Sequence, residues 1–146
     1  MSMIETLRAA REKTVRDHMR LENELDFDAV MRTFATPRYE LFGQGTVIEG
    51  DEAVRGYFRR SRTPFPDQSN EIIALHQDGD AVLVEFWLMG THMGPLSVKG
   101  QILEPTGKSF KIRMMAVFEF ARDSDKIVCE RPYFDQQAIW AQLGVG

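Results

Sequence analysis

Over residues 2 to about 25 the polar and apolar positions repeat at helical spacing. Ile4, Leu7, Val15, His18, Glu22 and Leu25 fall on one broad stripe at about 100° per residue. The stripe predicts a long helix that carries two polar residues into an apolar face. Asp26 then reads as the cap of a short helix through Val30 to Thr33, because an aspartate there accepts from the free amides of a first turn. Pro37 closes this helical hairpin. Between residues 38 and 49, β-branched and apolar residues interrupted by Gly43 and Gly45 predict two short strands around a tight turn. Gly50, Asp51 and Glu52 open a further helix whose stripe is Ala53, Val54, Tyr57 and Phe58. Pro64 and Pro66 make the next residues a rigid loop.

The second half reads as strand. Residues 71–76, 81–89, 110–122 and 126–134 are rich in Val, Ile and aromatics, and the turns Asp78-Gly79-Asp80 and Asp123-Ser124-Asp125 are short enough for antiparallel pairing. Residues 90–108 form a looser segment with Gly94, Pro95, Pro105 and Gly107. A last helix starts at its cap, Asp135, and stops before Gly144. Helices followed by a long antiparallel sheet predict an α+β fold with helices on one face of the sheet. Phe110, Ile112, Met114, Ala116, Phe118 and Phe120 alternate with Lys111, Arg113, Met115, Val117 and Glu119, so one face is wholly apolar and the other mixed. A pocket or core on the first face and a partner on the second are the corresponding expectations.

Composition narrows the classes. With 146 residues, 43% hydrophobic and 27% charged, the chain is expected to form one globular domain over residues 1–146 without repeats or a linker. Its formal charge is −4 and its basic residues are scattered, which disfavours nucleic acid. The single cysteine, Cys129, allows no internal disulfide and is read as a small core residue. The first 16 residues carry six charges instead of a signal-like apolar run, and no stretch reaches the roughly 18 apolar residues of a membrane span. A cytoplasmic protein that does not enter a membrane is expected.

The sequence lacks a Gly-x-Gly-x-x-Gly, a phosphate-binding loop and a Gly-x-Ser-x-Gly elbow. His18, His76 and His92 are far apart and form no His-x-x-x-His pair, so no metal site is expected. The candidates are polar residues that pattern places inside. His18 and Glu22 lie one helical turn apart and can meet each other or a ligand. Glu85 lies in an apolar strand, either on a solvated face or buried. His92, among glycines, is set at a pocket mouth or solvated. Asp135 is a helix cap or an acid/base group beside the apolar wall of Tyr133 and Phe134. Tyr39, Tyr57, Trp87 and Tyr133 give polar tips to apolar walls, which suits core packing or a flat hydrophobic ligand. Arg113 and Arg131 could hold a carboxylate or face solvent.

The order of elements, the run Val47-Ile48-Glu49-Gly50-Asp51-Glu52-Ala53-Val54-Arg55-Gly56-Tyr57-Phe58, and the pieces Glu22-Asn23, Phe65-Pro66-Asp67, Gly90-Thr91-His92, Pro105-Thr106-Gly107, Tyr133-Phe134-Asp135 and Gln142-Leu143-Gly144 together carry a resemblance. The chain resembles the SnoaL-like polyketide cyclases of the nuclear transport factor 2-like superfamily. The resemblance implies a cone-shaped, curved mixed sheet with the N-terminal helices over its concave face. It also implies a pocket for a small apolar or aromatic molecule and often a homodimer through the outer sheet face. It further implies proton transfer next to a carbonyl without cofactor, with Asp135 matched to the base, His92 to its polar partner, and Asn23 or His18 to orienting substrate. Such a chain would be a cyclase, isomerase or dehydratase, or a catalytically silent ligand-binding or dimerisation module of the same fold. The Arg and paired Asp constellation of the limonene epoxide hydrolases is absent, since Met114 and Met115 follow Arg113.

Overall fold

A computed structural model describes residues 2–145. The first helix, α1 (Met3–Asn23), is nucleated by a reciprocal cap: Glu5 N–H donates to Ser2 Oγ and the Ser2 amide donates to the Glu5 carboxylate. Its buried face holds Arg11, Val15, His18 and Met19. Ile4 and Leu25, two apolar members of the expected stripe, are exposed, so the packed part of the face begins only at the second and third turns. Asp26 caps α2 (Phe27–Met31) through Oδ1 and the Ala29 amide, as the pattern predicted.

The hairpin β1 (Arg38–Leu41) and β2 (Thr46–Glu49) leads into α3 (Asp51–Arg62). Gly50 makes that entry possible, because its φ of 96° lies in a region that side chains resist. The long strands follow: β3 (Ser69–Asp78), β4 (Ala81–Thr91), then β7 (Ser109–Phe120) and β8 (Ile127–Tyr133) before α4 (Gln136–Gln142). Within the segment expected to be loose, β5 (Leu96–Val98) and β6 (Gln101–Leu103) form a small separate hairpin. Its strands are three residues long, too short for an alternation to register, and its turn is carried by Lys99 and Gly100, both at positive φ.

Six strands form one sheet in the order β2-β1-β8-β7-β4-β3. All neighbours are antiparallel except β1 and β8, which run parallel through Tyr39 and Glu130. The fold is therefore the expected α+β arrangement of N-terminal helices and a curved mixed sheet. The even-numbered residues of β7 are buried, and with Val82, Val84 and Phe86 of β4 they meet Val15, Met19, Val54 and Phe58 from the helices. Fully burying a Phe such as Phe58 or Phe118 contributes about 1.5–3 kcal/mol, so this layer dominates the stability. The opposite face is mixed, with Leu83, Trp87, Met89, Met115 and Val117 half-buried.

Arg11 fixes α1 against the sheet. Its buried guanidinium donates to the carbonyls of Ser124, Ala121 and Gly79, pairs with Asp80 at 3.0 Å, and lies 5.2 Å from the centre of the Phe120 ring. Two strand turns and one helix are thereby joined by one side chain. His18 and Glu22, two and three turns further along α1, inherit their position from it. Among the described residues no helix is long and apolar enough to cross a membrane.

Candidate active site

Between the helices and the sheet lies a cavity of about 560 Å³, within the range of small-molecule sites. Its walls are aromatic: Phe58, Phe65, Phe86, Phe110, Phe118 and Phe134 all line it. Glu22, Tyr39, Tyr57 and Glu130 form its polar, half-buried to buried end. The exposed lining residues Gln44, Arg60, Ser97 and Gln136 mark its mouth.

The buried end is organised by His18, which has no solvent exposure. Thr33 spends its hydroxyl proton on the Val30 carbonyl at 2.6 Å, so its oxygen accepts from His18 Nδ1–H at 2.8 Å. Nε2 faces Glu22 Oε1 at 2.7 Å and Glu130 Oε1 at 3.0 Å, with the Tyr39 hydroxyl at 3.5 Å. Both ring nitrogens are thus placed to donate, which is the imidazolium form. Burial opposes that charge, but the two carboxylates outweigh it and lift the His18 pKa to about 9.

The two carboxylates diverge. Burial raises the Glu22 pKa, but His18 and the Arg62 guanidinium, 3.1 Å from Oε2, bring it below the ordinary carboxylate value. Arg62 is itself held over the rings of Phe27 and Phe58, at 5.2 and 5.7 Å. Burial also raises the Glu130 pKa; His18 and the Tyr39 hydroxyl only partly oppose this, and the negative charge of Glu22 adds to it. Of the two carboxylates, Glu130 is therefore the one whose pKa is pushed upward and Glu22 the one pushed downward. Burial, and then the charge of Glu130, keep the phenols of Tyr39 and Tyr57 protonated, and Tyr57 lines the cavity as a hydroxyl outside the His18 hydrogen bonds. A group that can take or return a proton and a phenol that can donate to an oxygen are side by side.

One ligand atom each from His18, Glu22 and Glu130 lie within 4.8 Å of one another, so the three could hold a metal ion. The spacing of the histidines in the sequence predicts no metal site. However, protonated His18 and Arg62 already balance the two carboxylates, and a cation would have to displace the His18 proton.

Of the residues expected at a site, His18, Glu22 and Tyr57 are brought together here. Asp135 is not: it is exposed, and its Oδ1 accepts from the Gln137 and Ala138 amides at 3.0 and 3.3 Å as the cap of α4. The matching of Asp135 to a catalytic base fails on that geometry. His92 is buried rather than at a pocket mouth, and does not line the cavity; its Nδ1 accepts from the Thr106 amide at 3.1 Å, which ties the end of β4 to the chain before β7. Asn23 is exposed and bridges both backbone groups of Asn70, a strand-edge clamp instead of a substrate contact. Trp87 and Arg113 lie on the outer face, Trp87 under Lys111 and Arg113 3.9 Å from Glu85. Tyr133 stacks on exposed Phe42, outside the cavity.

Glu130 is the residue that sequence pattern missed. Phe120 pairs with Ile127 and Glu119 with Cys129, so Val128 is an extra residue in β8. Strict alternation from buried Ile127 would send Glu130 outward. The bulge reverses the parity, and Glu130 pairs with inward Phe118. Cys129 is buried as expected, but it faces the other side and donates to Glu40 Oε1 at 3.3 Å.

Among curated proteins none matches the chain by sequence. Solved structures do. A candidate SnoaL-like polyketide cyclase from Jannaschia sp. CCS1 aligns at 20% identity and TM-score 0.79, covering 94% of both chains. IdmH, a candidate polyketide cyclase from Streptomyces antibioticus, aligns at 24% identity and TM-score 0.76 over 92% of this chain and 99% of its own. SalBIII, an epoxide hydrolase/cyclase-like enzyme with a role in pyran ring formation in the polyether salinomycin, aligns at 27% identity and TM-score 0.72 over 90% and 95%. The SnoaL-like domain family model matches residues 15–130, from the first buried turns of α1 to Glu130 itself, and the chain belongs to that family.

Proposed function

We propose that this protein is a cofactor-independent acid/base enzyme acting on a mainly apolar carbonyl compound, with Glu130 as the base. The reading rests on one observation above all: a buried carboxylate of raised pKa stands beside two protonated phenols at the closed end of an aromatic cavity. Glu130 takes a proton from the carbon next to a carbonyl. The electron pair moves onto the carbonyl oxygen, and Tyr57 donates a hydrogen bond to the resulting enolate. The acid form of Glu130 then returns the proton to a different carbon in an isomerisation, or to a departing hydroxyl in a dehydration. In a cyclisation the enolate carbon attacks a second carbonyl, and the proton goes to the new alkoxide. His18 is a positioning residue that holds Glu130 through Nε2, and Glu22 with Arg62 holds His18. SalBIII, with its role in pyran ring formation, is an example of ring-forming chemistry on a related structure.

Exchange of the α-proton for deuterium in a panel of cyclic and aryl ketones, followed by NMR, tests this proposal. Glu130→Gln is expected to lower the catalysed exchange rate by about 10²–10⁴-fold with the fold intact. Exchange that survives Glu130→Gln undiminished would remove Glu130 from the role.

A further inference from the structure

Counted together with His18, which stands directly behind the lining, the charges at the cavity do not cancel. Inside, Glu22 faces Arg62 at 3.1 Å and Glu130 faces His18 at 3.0 Å, two anions against two cations. The remaining charged lining residue is Arg60, near the C-terminal end of α3, and among the described residues it has no ion pair or hydrogen bond. It is exposed at the mouth, where its lining neighbours Gln44, Ser97 and Gln136 are all uncharged.

The helix makes room for this guanidinium. Gly56 precedes Arg60 by one turn in the interior of α3, where glycine is a poor helix former. A Cβ on Gly56 would stand 3.1 Å from Arg60 Nη1 and 3.7 Å from Arg59 Nη2, so the Arg60 guanidinium would have to shift slightly to keep its place. The bare backbone of one residue is the resting place of the next turn's charge. Arg59, beside Arg60 and also exposed, does not line the cavity.

We propose that Arg60 selects ligands that carry a carboxylate at the end opposite their reacting carbonyl. This deepens the reading of the cavity as a ligand site and rests on it. An apolar body fills the aromatic walls, the carbonyl meets the Tyr57 and Glu130 end, and the anionic end stays at the mouth, where a guanidinium can bind it bidentately and water can solvate the rest. Keeping the anion at the mouth avoids the cost of burying a further charge beside Glu130.

The test uses the full chain and two probes of equal shape, 2-naphthoate and neutral 2-naphthamide, with dissociation constants from titration calorimetry at low salt. The native protein should prefer the carboxylate by about fivefold, a ratio that shrinks as salt is added. Arg60→Gln should abolish the preference without changing amide affinity, and Arg60→Lys should keep most of it. Arg59→Gln should leave it unchanged. A preference untouched by Arg60→Gln, or lost equally with Arg59→Gln, overturns the role of Arg60 while binding of both probes leaves the cavity reading standing. Failure of both probes to bind the native protein overturns both.

Discussion

Two regions of this protein bury an imidazole completely, and they use it for opposite ends. At the junction of α1 and β8, His18 meets two carboxylates on Nε2 and a hydroxyl acceptor on Nδ1, so both nitrogens donate and the ring is held as a cation. At the end of β4, His92 accepts the Thr106 amide on Nδ1, leaving its hydrogen on Nε2, which is buried and without a partner. The first histidine adjusts the protonation of a cavity-lining carboxylate. The second adds a side-chain acceptor for the Thr106 amide beside the backbone bonds from His92 to Lys108 and Gly107. Burial is equal in the two cases, so it is what each nitrogen faces that separates an imidazole held between carboxylates from one that binds backbone.

The largest expected contrast is in stability. His18→Leu leaves Glu22 and Glu130 facing each other without the cation between them, and breaking such a buried arrangement costs about 3–5 kcal/mol. At this chain length the melting temperature should fall by roughly 10 °C or more in calorimetry. His92→Leu removes one backbone partner and should cost about 1–3 kcal/mol. Equal losses from the two substitutions would end the contrast.

A pH series sharpens it further. The His18 pKa is raised, so the stability it contributes is fully present below its unfolded value of 6.5 and is lost as the pH rises towards about 9. Between these limits the unfolded chain has released a proton that the folded chain retains, and the melting temperature should decline. Replacing His18 with Gln should flatten that decline, whereas the same change at His92 should leave it in place. A native profile with no fall over this window would contradict the imidazolium assignment.

The smallest effect concerns the carboxylate that lies outside both regions. Asp135→Ala should cost about 1 kcal/mol through loss of the α4 cap and should leave proton exchange at its native rate. A loss of exchange comparable to that of Glu130→Gln would restore Asp135 as the base.

Much of the framework is legible in the linear pattern, because it depends on short-range rules. The caps at Asp26 and Asp135 are found where they were expected, since a carboxylate before a helix has one local use. The apolar face of β7 is visible because alternation repeats over a long strand. His18 and Glu22 are recognisable as a pair because helical spacing fixes which residues share a face. The resemblance carried the family and the container as well, but its transfer of roles to Asp135 and His92 followed positions in the chain, not the directions of side chains.

By itself, then, the sequence determined the helices and the long two-faced strands, though not the short β5–β6 hairpin, and with them the α+β class and the membership of a family. Tertiary structure alone decided which charges meet. Glu130 points inward because the extra residue at Val128 shifts the register of β8 against β7, and it reaches His18 because Arg11, with Thr14 and the Asn70–Met19 bond, anchors α1 to distant parts of the sheet. Residues 112 positions apart have no shared periodicity to reveal them. Their electrostatic coupling appears when packing excludes water and brings their atoms within about 3 Å, where charges that would be screened in solution govern one another's protons.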